Sequence, residues 1–138
     1  MSGFLLDTNV ISELRKRDRC NEAVLGWYQT VTTEQLFMSV LVVGELRRGV
    51  EIRRKKDPAS AAHLEAWVNR LLKIYGSRIF PLDLDVAELW GKWNAIRPLP
   101  VEDGLIAATA SVHGLTLVTR NERDVQGLGV TVLNPWNW

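Results

Sequence analysis

The chain has 138 residues, 46% of them hydrophobic, and a formal net charge of +1. That is enough apolar material for one sizeable core in a single domain spanning 1–138, and too little charge for binding driven by overall polyelectrolyte attraction. Cys20 is the only cysteine, which excludes an intramolecular disulfide and a multi-cysteine zinc site and fits a reducing compartment.

The opening MSGFLLDTN has no basic stretch and too short an apolar run for a signal peptide or membrane span, so a cytoplasmic protein without membrane contact is expected. Gly3 to Leu6 reads as a buried strand that delivers Asp7 to a turn, and Thr8 to Arg17 as a helix with Val10, Ile11 and Leu14 inward. Leu36 to Met38 is a short strand, and Ser39 suits the N-cap of a helix to about Lys56, ended by Asp57-Pro58. Ala61, Leu64, Val68, Leu71, Leu72 and Tyr75 mark a second amphipathic helix closed by Gly76. Arg78 to Pro81 is a strand, and Asp83 caps a helix from Leu84 to about Arg97, before Pro98 and Pro100. That helix carries Val86, Leu89, Trp90, Trp93 and Ile96, more than one narrow stripe, and the excess suggests a subunit contact.

Glu102 to His113 forms another helix stopped by Gly114; Leu115 to Thr119 is a strand, Asn121 to Gly127 a turn or short helix, and Val130 to Leu133 the last strand. Strands alternating with helices imply a three-layer α/β/α domain around a mainly parallel sheet, because parallel neighbours need crossovers. Ligands of such sheets collect beyond the strands' C-terminal ends, where Asp7 and the loop from Thr119 to Asp124 fall.

Four acids stand within or just after apolar segments: Asp7 after GFLL, Glu45 in SVLVVGEL, Asp103 in PVEDGLIAA and Asp124 after LTLVTRNER. Each alone has an ordinary reading. Asp7 and Asp103 suit helix N-caps, Asp124 a surface turn, and Glu45 a helix face, though Leu41, Val42 and Leu46 beside it are apolar. Together they suggest distant segments converging on one anionic pocket, where like charges repel unless a cation intervenes. A hard ion such as Mg2+ suits that donor set, held by one or two carboxylates, waters and a substrate phosphate.

His63 and His113 complete no triad and read as structural, and no glycine-rich phosphate loop or matched Ser or Cys nucleophile is present, so metal-activated water is the expected nucleophile. The segment RRGVEIRRKK, Arg47 to Lys56, suits either a phosphate backbone or a solvated helix face. Among the six tryptophans, Trp67, Trp90 and Trp93 fall in amphipathic helices as core or interface residues, while Trp136 and Trp138 stay unassigned.

FLLDTNVISEL, SVLVVGELRRGVE, PVEDGLIAATA and LVTRNERDV together resemble the PIN domain, in particular the VapC-like toxins of toxin–antitoxin pairs, over nearly the whole chain and in the family's order. The resemblance implies a metal-dependent endoribonuclease whose acidic quartet is Asp7, Glu45, Asp103 and Asp124, with Thr8, Asn9, Ser39, Thr119 and Asn121 as supporting polar residues. Val125 stands where the family often has Phe. By similarity, one or two Mg2+ or Mn2+ ions would orient the scissile phosphate, with Asp7 and Asp103 the first ligands, Asp124 next, and Glu45 direct or through water. The products would be a 5′-phosphate and a 3′-hydroxyl. The implied partners are RNA, a second copy in a homodimer, and a small cognate antitoxin. Two further readings stay open: another Mg2+-dependent α/β phosphohydrolase, although Asn9 occupies the second position of an Asp-x-Asp pair, and a noncatalytic RNA-binding scaffold.

Overall fold

A computed structural model describes residues 3–138, so Met1 and Ser2 of the opening MSGFLLDTN lie outside the described residues. Its strands are β1 (Phe4–Leu6), β2 (Leu36–Ser39), β3 (Ile79–Phe80), β4 (Thr116–Val118) and β5 (Val132–Leu133). Its helices are α1 (Thr8–Leu14), α2 (Glu22–Tyr28), α3 (Val40–Lys56), α4 (Pro58–Tyr75), α5 (Leu84–Ile96) and α6 (Val101–Val112). The strands form one sheet in the order β3-β2-β1-β4-β5, and every neighbouring pair is parallel.

The chain steps outward from β1 to β2 to β3, then jumps back to place β4 on the other side of β1. Right-handed crossovers running in opposite directions put their helices on opposite faces, so α5 and α6 cover one face and α1 to α4 the other. The central strand shows why: Leu5 and Leu6 are both fully buried although they point to opposite faces, as a doubly covered parallel strand requires. Trp27, Met38, Val42, Ile106 and Leu117 fill the two layers beside them.

Local chemistry sets the helix ends. Ser39 Oγ accepts from Leu41 N at 3.1 Å, and Val42, Leu46 and Val50 then bury one stripe of α3. Asp57 Oδ1 accepts from Ser60 N at 3.1 Å with Pro58 in the first turn of α4, which stops at Gly76 with φ of 51°. Asp83 Oδ1 accepts from Val86 N at 3.0 Å to start α5.

Several elements differ from the sequence expectation. Helix α2 has no counterpart in it: Asn21 Oδ1 caps it through Ala23 N and Val24 N at 2.9 and 3.3 Å, but it buries only Val24 and Trp27. Two inward positions over two turns are too few for a helical period to stand out. Helix α1 ends at Leu14 rather than Arg17, because the chain leaves it through Arg17 at φ of 55° into a 3-10 turn, Arg17–Arg19. Trp90 and Trp93, around which the sequence suggested a subunit contact, turn inward. Trp93 is buried, and a Cβ on Gly104 would lie 3.0 Å from Trp90 Cδ1, so both rings pack within the α5–α6 layer. The exposed apolar residues of that layer are Leu84 (75%), Ile96 (78%) and Val101 (57%).

Candidate active site

The sheet changes direction between β1 and β4, and the crevice at such a switch point is where open α/β sheets bind ligands. Asp7 and Thr119 stand on its two lips. Asp7 N donates to Val118 O at 3.0 Å, which continues the β1–β4 ladder by one residue. One carboxylate oxygen of Asp7 caps α1, Oδ1 accepting from Thr8 N at 2.7 Å. The other faces β4: Oδ2 accepts from Thr119 Oγ1 at 2.8 Å and from Asn9 Nδ2 at 3.5 Å. The N-cap and pocket readings of Asp7 are therefore both realised, one oxygen each.

Asn9 and Thr119 tie the next loop to this carboxylate. Asn9 Nδ2 also reaches Thr119 Oγ1 at 3.4 Å, Asn9 Oδ1 accepts from Arg120 N at 3.3 Å, and Thr119 Oγ1 accepts from Asn121 N at 3.0 Å. Thr119 is 2% exposed and Asp7 9%, so this set of bonds is held out of bulk water, where each is electrostatically stronger.

Asp103, in the first turn of α6, shares a small pocket with Asp7, Ile106, Thr119, Asn121 and Val125. Burial pushes its carboxyl up to about 6; the charges of Asp7 and Asp124 and a hydrogen bond with Asp124 push the same way. Glu45, reaching in from α3, is pushed up to about 7, first by burial and then by Glu102, with Asp7 adding to the rise and Thr8 opposing it. The Thr8 hydroxyl is oriented toward Glu45 without completing a hydrogen bond, since Thr8 Oγ1 is buried and has no partner. Asp7 and Asp103 share the pocket, and Asp124 and Glu45 lie near enough to act on them electrostatically, in two mutually repelling sets that share Asp7.

Among the described residues, no three acids, cysteines or histidines are placed to grip one ion together. The donor set is all oxygen, with Asp103 and Glu45 raised first by burial and then by neighbouring carboxylates. It suits a hydrated Mg2+ or Mn2+ held by one or two carboxylates, water and phosphate better than a closed protein cage.

Ser39 stays outside this pocket: it is buried at the end of β2, and its hydroxyl serves the α3 cap. His113 stacks on Phe80 at 3.7 Å between centroids and His63 is exposed on α4, so neither enters the site. Val125 is 3% exposed and lines the pocket at the position where the resembled family often has Phe.

Sequence reasoning missed three contributors. Glu102 was legible only as the neighbour of Asp103 in PVEDG. Arg97 donates from Nη2 to Gln126 O at 2.8 Å and from Nη1 to Asp124 O at 3.5 Å, pinning the 3-10 turn Glu122–Val125 that carries Asp124. Arg120 lies over Trp136 at 4.9 Å, and Asn134 both bonds Arg120 O at 3.4 Å and caps Trp136 N at 3.0 Å. Trp136 therefore buttresses the Thr119–Asn121 loop.

Part of the basic segment of α3 is paired, within α3 and across to α4. Arg47 meets Glu65 at 2.7 Å, Arg54 meets Glu51 and Glu65 at 3.1 Å each, and Arg53 donates to Ser60 Oγ at 3.1 Å. Of the two readings, these pairings favour the solvated face.

A family model described as "PIN domain" matches residues 4–126. The chain is 35% identical to the protein named "Toxin FitB" of Neisseria gonorrhoeae, covering 97% of this chain and 99% of that one. It is 34% identical to "VapC ribonuclease Y4jK" of Sinorhizobium fredii, covering 96% and 97% respectively. A solved structure titled "Toxin-antitoxin complex from Klebsiella pneumoniae" superposes with a TM-score of 0.71 at 26% identity, over 96% of this chain and 98% of that one.

Proposed function

The chain belongs to the PIN-domain family, and from that premise we propose that it is a metal-dependent endoribonuclease, the toxin of a toxin–antitoxin pair. The observation that carries the chemistry is the 2.8 Å bond from Thr119 to Asp7 across the switch point, beside an Asp103 that burial, and then Asp7 and Asp124, push up to about 6. Aligned relatives named a ribonuclease and a toxin support the substrate class and the biological role.

Asp7 and Asp103 would hold the ion, with Asp124 next through water and Glu45 joining directly or through water. Bound there, Mg2+ or Mn2+ would supply charge stabilisation at the scissile phosphate and a bound water more acidic than bulk water. The protein's own part is orientation and proton handling. Thr119 and Asn9 fix the direction of Asp7 Oδ2, and Arg97 holds the turn bearing Asp124. Glu45, raised to about 7, is poised to take or give a proton near working pH.

We take 1–138 as one functional unit. Beyond the matched 4–126, β5 adds a strand to the same sheet and the Pro135–Asn137 turn packs on α2. The partners are RNA, a second copy of the chain and a small antitoxin, acting in the cytoplasm. Among the described residues no helix is long and apolar enough to cross a membrane.

The test is cleavage of a mixed RNA pool by purified protein with Mg2+, with Mn2+ and with EDTA, beside Asp7→Asn and a phosphomonoester substrate. Metal-dependent RNA cleavage lost in Asp7→Asn is expected. Phosphomonoester turnover without RNA cleavage would replace this reading with a phosphatase, and RNA binding without turnover would replace it with a scaffold. Expression alone should arrest growth, and co-expression with the protein of an adjacent small gene should relieve it.

A further inference from the structure

We propose that a cationic bowl between the end of α1 and the outer face of α4 grips the phosphate backbone of RNA flanking the bond presented to the carboxylates. This rests on the ribonuclease reading and adds the place where the substrate is held. An open concavity of about 310 Å3 is lined by Arg15, Lys16, Arg17, Arg19, Arg70 and His63, with no acidic side chain in its wall. Arg17, Arg19 and Arg70 are exposed and make no ion pair or side-chain hydrogen bond among the described residues. On α3, by contrast, Arg47 and Arg54 are neutralised by Glu51 and Glu65. Arg48, Lys55 and Lys56 of α3 also make no ion pair among the described residues, but the bowl gathers Arg15, Arg17, Arg19 and Arg70 around one concavity.

The bowl lies at the opposite end of α1 from Asp7. Arg15 lies 5.6 Å from the centroid of the Trp67 ring, which limits its directions. Arg17 holds a left-handed backbone at φ of 55°, a conformation that costs a non-glycine residue on the order of 1 kcal/mol and bends the chain so that Arg17 and Arg19 share one rim. Lys16 pairs with Glu13 at 3.0 Å, and Glu13 also feels the charge of Arg120, whose backbone N–H is held by Asn9. Helix α1, which separates Asp7 from Arg15, spans only about 10 Å. A single strand laid from the bowl past Arg120 reaches the carboxylates within a few nucleotides.

RNA is favoured over an acidic protein segment because the carboxylates at the other end of α1 are read as a ribonuclease site, which must admit a phosphodiester. A phosphodiester entering among Asp7, Asp103, Asp124 and Glu45 is repelled there, and separated cations on its approach offset that repulsion by releasing counterions from successive phosphates.

The test uses the full chain free of any partner and a 5′-fluorescein-labelled single-stranded RNA of mixed sequence, titrated in EDTA at several salt concentrations. Arg17→Gln/Arg19→Gln/Arg70→Gln should weaken binding on the order of tenfold and make the slope of log K against log salt shallower by about 2, as loss of three phosphate contacts requires. Arg48→Gln/Lys55→Gln/Lys56→Gln on α3 should change neither. With Mg2+ the first variant should raise KM for long RNA while cleaving a dinucleotide at the wild-type rate, and its thermal midpoint should be unchanged. Unaltered RNA affinity and salt slope in that variant overturns the proposal. So does loss of binding to a labelled poly-glutamate peptide while RNA binding persists. RNA bound through the bowl but never cleaved by wild type would overturn the nuclease reading and leave the bowl standing.

Discussion

Thr119 and Asp7, 112 residues apart in sequence, are joined at 2.8 Å by the Thr119 hydroxyl donating to Asp7 Oδ2, and that bond spans the two strands where the sheet reverses direction. It converts a strand order into a chemical site, because the lip that carries a charge and the lip that orients it come from opposite ends of the chain.

Replacing Thr119 with Val keeps the shape and removes the donor. The buried Asp7 oxygen then loses its shortest partner, so stability should fall by about 1–3 kcal/mol in urea denaturation. RNA cleavage should fall on the order of a hundredfold, as for other losses of a group that positions catalytic chemistry. Thr119→Ser should restore most of both. A valine variant as stable and active as wild type would remove the bond from the account.

Asp103 gives a stability prediction with a definite sign. Its carboxyl titrates at about 6 in the folded chain against an ordinary 3.8, so the folded state holds its proton more tightly than the unfolded chain does. The contribution of Asp103 to metal-free stability should therefore be greatest below pH 4, decline as pH rises through 6, and stay reduced above it. Asp103→Asn removes that decline and should gain about 1 kcal/mol at pH 7.5 after allowance for solvent screening, while abolishing cleavage. Thermal midpoints in EDTA from pH 4 to 8 would show it; parallel curves for the two proteins would refute it.

The same raised carboxyls predict proton release on metal binding. At pH 6.5 Glu45, at about 7, is more than half protonated, and Asp103, at about 6, partly so. A cation favours their charged forms, so titration with Mg2+ or Mn2+ should release up to about one proton, and fewer at pH 8. Calorimetry in two buffers of different ionisation enthalpy measures this directly. Glu45→Gln should reduce the release, and no dependence on buffer would mean that these groups do not face the ion.

How much of this was legible in the sequence depended on what each residue answers to. Strands such as FLL and helices such as α4 were legible because burial imposes a period over many residues. Asp7, Glu45, Asp103 and Asp124 were legible because an acid inside an apolar run needs a reason. Helix α2 was too short to display its period. Arg97 and Glu102 look like ordinary exposed charges until the fold brings Asp124 beside one and Glu45 beside the other. The basic run of α3 left two readings open for the complementary reason: its neutralising partner Glu65 lies on another helix.

The exposed ends of the α5–α6 layer lead to the last prediction, that the active chain is a homodimer. Trp90 and Trp93 turn inward, so the contact must use what stays outside: Ile96 and Val101, 78% and 57% exposed, flank the Arg97–Pro100 connection that leads directly to Asp103. Covering two apolar side chains beside the site would remove them from water at about 25 cal/mol per Å2 and place a second chain against the entrance to the carboxylates. Ile96→Glu/Val101→Lys should then yield a monomer by light scattering with its thermal midpoint little changed, since neither side chain belongs to the core. A wild-type chain that is already monomeric at micromolar concentration would rule out the dimer. A variant that stays dimeric would move the contact to another face.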